Sequence, residues 1–256
     1  MKRRHLFEFG DQPWLPAFLR DAMTDYLALV YRLSPLPGVW AEVIERILKA
    51  TGSEEIVDLC SGSGGPMSLV VAELRRRGCH AEVTLTDLHV RRRHGTGGIR
   101  YWTQPVSALS PPTGLEGLRT MFTAFHHFAP GEAAGILQSA VAAHHSIAIF
   151  EATSRSIAAI ASSIFIPPLV LLLTPAIRPV SWRQLVFTYL VPILPVLIFW
   201  DGFVSHLRTY TKTELESMTS QCAAQNYLWT VSTVPMRGVP EGLPYLIGMP
   251  LPREAR

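Results

Sequence analysis

The sequence predicts an α/β fold whose core is a doubly wound, mostly parallel sheet of seven strands. Two observations support this prediction. Short apolar runs of strand length alternate along the chain with longer stretches in which apolar residues recur every three or four positions. One of these runs also leads into a glycine-rich turn that is followed at once by a helix. Parallel strands joined by helices produce this alternation, because each connection must cross a face of the sheet.

Two helices are predicted before the first strand. Apolar residues at helical spacing cover residues 19–30, and the sequence SPLPG at 34–38 interrupts them. A second helix covers residues 39–50 and ends at Gly52. We therefore assign residues 1–53 to an N-terminal helical cap or lid.

Five strands are predicted in the central part of the chain and two more near its end. They cover residues 56–59, 81–86, 99–102, 119–125, 146–150, 228–234 and 243–249. Helices are predicted between Pro66 and Gly78, at about 130–144 and at 211–224, the last with Thr213 as its N-cap. The cofactor-binding core is therefore expected at 54–156, and residues 205–256 are expected to complete its sheet.

The excess of apolar residues lies in an insertion at 157–204, directly after the fifth strand. Apolar residues make up 48% of the chain and charged residues 17%, yet 157–177 and 185–200 contain no charge. The first stretch is long enough to cross a bilayer core and the second is short for a span. Prolines interrupt both stretches, and Arg178 and Arg183 in the connector would stay near lipid head groups. Two interpretations remain open: membrane contact, shallow or spanning, and burial against the core or in a homodimer interface.

Several classes of protein are excluded or disfavoured. Glu8 and Asp11 interrupt the N-terminal region before an apolar run develops, which argues against a secretory signal. Three cysteines in 256 residues exclude a disulfide framework, and no Cys/His spacing suggests zinc, so no metal is predicted. The net charge of +3 is too small to favour nucleic acid, and the arginine runs at 75–77 and 91–93 are expected on solvated faces. We expect a cytoplasmic protein, or one held peripherally or integrally at the inner face of the membrane.

The strand, turn and helix at residues 58–72 have the features of a nucleotide site. Glycines let a ligand approach the backbone, and the helix start offers free N–H donors. Asp87, at the end of the next strand and about 25 residues after Gly62, is placed to accept hydrogen bonds from a ribose diol.

These residues resemble the first motif of the class I (Rossmann-like) S-adenosylmethionine-dependent methyltransferases. That motif is a hydrophobic residue and an acid followed by G-x-G-x-G, and the sequence VDLCSGSG at 57–64 matches it, with Cys60 in place of the first glycine. The resemblance implies S-adenosylmethionine as the cofactor, with Asp58 orienting its amino group and Asp87 holding its ribose. Ser107 falls where the family has an adenine contact. The cofactor-binding residues implied in this way are Asp58, Cys60, Ser61, Gly62, Gly64, Asp87, Leu88 and Ser107.

The resemblance also indicates where the acceptor would bind. In this family the segment after the fourth strand faces the methyl group, and here it contains His126 and His127. Histidine titrates near neutrality and can act as a base, so these two residues are the catalytic candidates, although one or both could instead serve packing. Further pocket candidates are Glu151, Asp201, His206 and Tyr210.

The function predicted from the sequence is methyl transfer from S-adenosylmethionine to a small or lipid-like acceptor. A first alternative is a membrane-associated cofactor-binding protein with the same fold and no catalysis, which Cys60 in the glycine position would favour. A second is a nicotinamide-dependent oxidoreductase, although the third glycine of the G-x-G-x-x-G motif is absent.

Overall fold

A computed structural model describes residues 1–89, 98–222 and 226–251, so the predicted arginine face at 91–93 lies outside the described residues. Seven strands form one sheet in the order β3-β2-β1-β4-β5-β7-β6. They are β1 (Glu55–Asp58), β2 (Glu82–Leu85), β3 (Ile99–Tyr101), β4 (Leu118–Phe122), β5 (Ile147–Phe150), β6 (Tyr227–Met236) and β7 (Val239–Pro250). The first five pair in parallel, whereas β7 runs antiparallel to both β5 and β6. The predicted seven-stranded, mostly parallel sheet is confirmed.

The helices surround this sheet. They are α1 (Ala17–Leu33), α2 (Leu36–Thr51), α3 (Met67–Arg76), α4 (Pro130–Ala142), α5 (Ile157–Ser162), α6 (Ile166–Leu173), α7 (Trp182–Leu185), α8 (Ile193–Arg208) and α9 (Lys212–Gln221). The N-cap of α9 is Thr211 rather than the expected Thr213, because the Thr211 hydroxyl accepts the Glu214 N–H at 3.3 Å. Glu214 returns a hydrogen bond to the Thr211 N–H, which completes a capping box.

Both faces of the sheet are covered, as a doubly wound fold requires. On one face α2 and α3 pack over the strands, with Trp40 and Met67 fully buried. On the other face α4 and α9 contribute Leu137 and Met218 to a second core. Helix α2 thus packs directly on the sheet, although the sequence groups it with the N-terminal cap.

Helix α1 packs instead against the insertion that follows β5. Leu19 and Met23 of α1 share a third core with Val170 of α6 and with Leu194 and Leu197 of α8. The insertion also extends beyond residue 204, because α8 continues without a break to Arg208. We refer to α1 together with α5–α8 as the helical layer.

The helical layer exposes large apolar side chains, which together are called its exposed apolar surface. The most exposed of them are Ile157, Ile164, Leu172 and Leu190, each more than two-thirds accessible. The helical stretch Ile157–Ala176 is long and apolar enough to span a membrane, with a mean hydropathy of 2.2, and only 22% of its most apolar part is buried. The second apolar stretch is bent by 82° between residues 190 and 193. Length and composition alone are weak evidence for a span, but this exposed apolar surface needs an explanation.

The aromatic cluster around Trp40 should dominate the stability of the sheet core. The Trp40 ring lies 5.2 Å from the Phe122 ring and 5.9 Å from the Phe150 ring, between centroids. We expect Trp40→Ala to lower the free energy of unfolding by about 3–5 kcal/mol, since it removes a fully buried side chain and leaves a cavity. Urea denaturation followed by circular dichroism measures this change. Trp182→Ala, at a side chain that is 67% exposed, is the matched control and should change stability by less than about 0.5 kcal/mol.

Candidate active site

The candidate residues collect at one edge of the sheet. Strands β1 and β4 are neighbours, and the chain order reverses between them, which is where ligands bind in open α/β sheets. Asp58 ends β1, and Asp87 follows β2 by two residues. His126 follows β4, and Glu151 comes directly after β5. Because these strands are parallel, their carboxyl ends bring the four side chains to the same edge.

Asp58 is buried at the reversal point and joins two strands. Its Oδ1 accepts a hydrogen bond from the Thr120 hydroxyl of β4 at 2.8 Å, and its Oδ2 accepts one from the Ser61 hydroxyl at 2.7 Å. Burial raises the pKa of Asp58 to about 7, although the hydrogen bonds from Ser61 and Thr120 oppose that shift. The carboxyl group therefore titrates near neutrality.

The turn after Asp58 has the glycine-type backbone that the motif implies. Cys60 adopts a positive φ of 58°, and Gly62 has a φ of 54°. A residue with a Cβ in this conformation is strained by about 1–2 kcal/mol. Cys60 therefore keeps the tight turn that a glycine would form, and the backbone strain is the energetic cost. Burial, with the charges of Asp87 and Asp58 adding to it, raises the pKa of the Cys60 thiol to about 12. The thiol therefore stays protonated and unreactive at neutral pH.

Asp87 faces this turn across a cleft. Its Oδ2 accepts the Gly62 N–H at 2.7 Å, and its Oδ1 accepts the His89 N–H at 2.8 Å. A carboxylate has about four acceptor positions, so two remain for hydroxyl groups of a ligand. The cleft is lined by Ser61, Gly62, Leu85, Thr86, Asp87, Tyr101 and Trp102.

This lining fits the nucleoside part of S-adenosylmethionine. A Cβ on Gly62 would meet no atom within 4 Å, so the space over that backbone is open. The carboxylate of Asp87 suits a diol, and the rings of Tyr101 and Trp102 suit a flat base. Pockets for whole ligands measure roughly 300–1,000 Å³, whereas this cleft has room for about one water molecule, so it would have to open to admit such a cofactor.

The structure brings together only some of the residues implied by the resemblance. Ser61, Gly62 and Asp87 line the cleft, Asp58 lies beneath it, and Cys60 and Gly64 shape its turn. Leu88 and Ser107 are not part of the lining; Leu88 is 57% exposed, and the Ser107 hydroxyl accepts the Leu109 N–H. Their roles remain predictions.

Sequence reasoning missed Tyr101 and Trp102, which close the cleft at the end of β3. Their position at the end of the predicted strand 99–102 could have indicated that they belong to the cleft. Once that strand is placed beside β2, its last residues must lie near Asp87.

His126, which the resemblance assigns to the acceptor side, is held by Glu151. Its Nδ1 lies 2.8 Å from Glu151 Oε2, and its backbone N–H donates to Glu151 Oε1 at 2.9 Å. A carboxylate only accepts, so Nδ1 carries the proton of this hydrogen bond. His126 is 1% exposed, and its Nε2 has no hydrogen-bond partner among the described residues. Nε2 lies 3.7 Å from Glu8 Oε1.

His127 is arranged in the same way by Asp11. Its Nδ1 lies 3.0 Å from Asp11 Oδ2, and its Nε2 lies 3.7 Å from Glu8 Oε2. Burial raises the pKa of Glu8 to about 7, against the charges of His127 and Arg208. Burial alone would also raise the pKa of Asp11, but the hydrogen bond and charge of His127, together with Arg208, lower it to about 2. Arg208 lies 3.2 Å from a carboxylate oxygen of each acid.

The N-terminal segment thus contacts both histidines. Sequence reasoning assigns this segment to a cap or lid, but it did not single out Glu8 and Asp11 as site residues. Asp201 of α8 fixes this segment by accepting the backbone N–H groups of Phe9 and Gly10 at 2.7 and 2.9 Å. Glu8 and Asp11 are far from the two histidines in the sequence, and no spacing pattern connects them. Of the other pocket candidates, His206 bonds to Ser154 and Tyr210 donates to the Phe128 carbonyl, so both support neighbouring backbone.

Known structures share this fold. No family model matches the sequence, and no curated protein sequence matches it. The plantazolicin methyltransferase BpumL in complex with SAH matches with a TM-score of 0.56 at 11% identity, over 94% of this chain and 92% of that one. BpumL in complex with a triazolic desmethylPZN analog and SAH gives 0.55 at 12% identity, over 93% and 95%. The chain therefore has the fold of an S-adenosylmethionine-dependent methyltransferase, as the resemblance implies.

The pKa of Asp58 predicts a pH-dependent stability. An unfolded aspartate ionises near pH 4, whereas folded Asp58 keeps its proton up to about pH 7. The folded state binds the extra proton in this range, so the free energy of unfolding falls as the pH rises from about 4 to 7, by at most about 1.4 kcal/mol per pH unit. Asp58→Asn, which cannot ionise, should lack this decline. Urea titrations at several pH values measure the difference, and parallel pH profiles for the two proteins would contradict the assignment.

Proposed function

We propose that the protein is an S-adenosylmethionine-dependent methyltransferase that acts on a small or lipid-like acceptor. The observation that carries the proposal is the hydrogen bond from the Gly62 backbone to the Asp87 carboxylate at a cleft formed by the carboxyl ends of β1, β2 and β3. The shared fold supports it, and so do the BpumL structures, which hold SAH.

In this proposal the chain's residues bind and orient the cofactor. The cofactor supplies an activated methyl group on a sulfonium. Asp87 would accept hydrogen bonds from the ribose hydroxyls with its two remaining acceptor positions. The open backbone at Gly62 would let the ligand approach closely, and Asp58 would orient the amino group from beneath the turn.

His126 and His127 would act on the acceptor. Methyl transfer needs an in-line approach of the acceptor atom to the methyl group, so positioning is the main requirement. The two histidines follow the end of β4, next to the strand that carries Asp58. Glu151 and Asp11 fix their rings, which supports a positioning role rather than a packing role alone.

The exposed apolar surface of the helical layer supports a lipid surface as the place where the acceptor is met. The surface carries Trp182, Arg178 and Arg183 in its connector, and all three are exposed. Tryptophan favours the interface of a bilayer, and arginine pairs with anionic head groups there. Helix α8 runs from this surface to Arg208, which contacts Glu8 of the site. The surface and the acceptor side of the site therefore belong to one structural unit.

The role of Asp87 is tested by ligand binding. S-adenosylhomocysteine should bind to the native chain in isothermal titration calorimetry, and Asp87→Ala should weaken binding about 10- to 100-fold, because it removes hydrogen bonds to a charged group. Asp87→Asn, which keeps the size of the side chain, should also bind more weakly. Glu241→Ala, at an exposed acid on β7, is the matched control and should bind like the native chain.

Other results would reject the proposal in distinguishable ways. Absence of S-adenosylhomocysteine binding to the native chain would contradict the methyltransferase assignment. A fluorescence titration in which NADH binds to the cleft would favour the nicotinamide-dependent oxidoreductase. Cofactor binding without methylation in a lipid extract supplied with labelled S-adenosylmethionine would favour the binding protein without catalysis.

The membrane proposal predicts flotation with lipid vesicles. The native chain should float with vesicles that contain anionic lipid, since apolar burial and the two arginines both favour that surface. The triple variant Ile164→Glu, Leu172→Glu and Leu190→Glu should remain in the soluble fraction. Its three positions are more than two-thirds exposed, so the fold should be retained.

Leu228→Glu is the matched control, because Leu228 is 50% exposed on β6, away from the helical layer. This control should float like the native chain. If the native chain stays soluble and sediments as a dimer that the triple variant abolishes, the surface is a homodimer interface and the membrane proposal is wrong.

A further inference from the structure

The two histidines and Glu8 form a cluster with the composition of a metal site. One ligand atom from each of Glu8, His126 and His127 lies within 4.8 Å of the others. Each histidine Nε2 is 3.7 Å from a different oxygen of Glu8. We propose that this cluster, the Glu8–His126–His127 site, binds a divalent transition-metal ion, with Zn²⁺ the best match to its ligands.

The orientation of the imidazole rings is the first argument. Both Nδ1 atoms lie within hydrogen-bond distance of a carboxylate, that of Glu151 for His126 and that of Asp11 for His127. Metal-bound histidines in proteins are held in this way, because the carboxylate fixes the tautomer and directs the other nitrogen at the ion. With Nδ1 engaged in this way, the Nε2 atom of each ring faces Glu8.

One buried nitrogen of the cluster lacks a partner within the described part of the chain. At 3.7 Å the contacts of the two Nε2 atoms with Glu8 are too long for hydrogen bonds. His126 Nε2 is fully buried and has no hydrogen-bond partner among the described residues. A buried polar atom without a partner is costly, and a metal ion shared with His127 and Glu8 would satisfy it.

The spacing of the ligand atoms is compatible with a bound ion after a small adjustment. Zinc binds histidine nitrogen and carboxylate oxygen at about 2.0–2.2 Å, so tetrahedral ligands are separated by about 3.3–3.5 Å. One ligand atom from each of the three side chains lies within 4.8 Å of the others, so the atoms need to approach one another by up to about 1.5 Å. Two imidazoles with one carboxylate suit zinc and its neighbours rather than Mg²⁺ or Ca²⁺, which prefer oxygen ligands.

The charges around the site also suit a dication. Glu8, Asp11 and Glu151 bring three carboxylates, and Arg208 contacts the first two of them. Carboxylates therefore outnumber this guanidinium around the cluster, and a divalent ion would offset part of their negative charge. Glu8 can bind through one oxygen and keep the contact of its other oxygen with Arg208.

Three protein ligands leave at least one coordination position free. Catalytic zinc sites have this composition, and the free position holds water or substrate. If the proposed function is correct, an oxygen or nitrogen of the acceptor would occupy it, and His126 and His127 would act on the acceptor through the ion.

Metal binding can be measured without any enzymatic assay. The full chain is stripped with a chelator, freed of it, and titrated with ZnCl₂ by calorimetry. We expect one equivalent to bind, and we expect His127→Gln and Glu8→Gln each to weaken binding by at least tenfold. Asp11→Asn should weaken it by about 10- to 100-fold, because it removes the support of a ligand. His80→Gln, at an exposed histidine outside the site, is the matched control and should bind like the native chain.

The outcomes separate this inference from the proposed function. Absence of Zn²⁺ binding to the stripped chain, or equal binding by the His127→Gln and Glu8→Gln variants, would overturn the metal site. A second measurement uses Co²⁺, whose visible absorption should change in His126→Gln if that nitrogen is a ligand. S-adenosylhomocysteine binding is measured on the same preparation, so failure of either proposal leaves the other testable.

Discussion

The buried carboxyl group of Asp58 is the constraint on which the site depends. It lies where the strand order reverses, and it accepts hydrogen bonds from Ser61 in the turn and Thr120 in β4. The backbone carbonyl of the same residue accepts the N–H and the hydroxyl of Thr86, which follows β2. One residue therefore fixes the carboxyl ends of three strands relative to each other. The cleft between the turn and Asp87 exists because those ends cannot separate without leaving buried polar atoms unpaired.

Much of the sheet and half of the site could be predicted because their signals are local. The motif at Asp58–Gly64 combines a strand, a turn and a helix start within a few residues, and Asp87 follows at the end of the next strand. The cluster around His126 and His127 depends instead on Glu8, which folding brings in from the other end of the chain. Periodicity and spacing report neighbours in sequence, so they carry no information about such a contact. The association of α1 with the insertion was missed for the same reason.

Besides exposing an apolar surface, the insertion also supports the candidate site through helix α8. Helix α8 buries Leu194 and Leu197 against α1 at one end, and near its other end Arg208 contacts Glu8 and Asp11. Between them, Asp201 holds the backbone of the N-terminal segment. The proposed acceptor side of the site therefore combines residues at the edge of the sheet with a helix from the insertion, whereas the proposed cofactor side lies on the sheet alone. Proteins of one fold often keep the part that binds the cofactor and differ in the part that binds the acceptor. In this chain, a single insertion would supply much of that difference.

The hydrogen bond from the Phe9 N–H to Asp201 joins residues that are 192 positions apart in the chain. It can therefore form only late in the synthesis of the chain. At about 5–20 residues per second, a ribosome needs on the order of 10–40 s to reach α8 after the N-terminal segment has emerged. During that interval Phe7 lacks Trp200, whose indole donates to its carbonyl, and Glu8 lacks Arg208. The strands that carry Asp58 and Asp87 can pair well before then. The nascent chain would thus form the proposed cofactor cleft before the proposed acceptor side. Until then, a chaperone or a bilayer would have to cover the aromatic residues of the N-terminal segment.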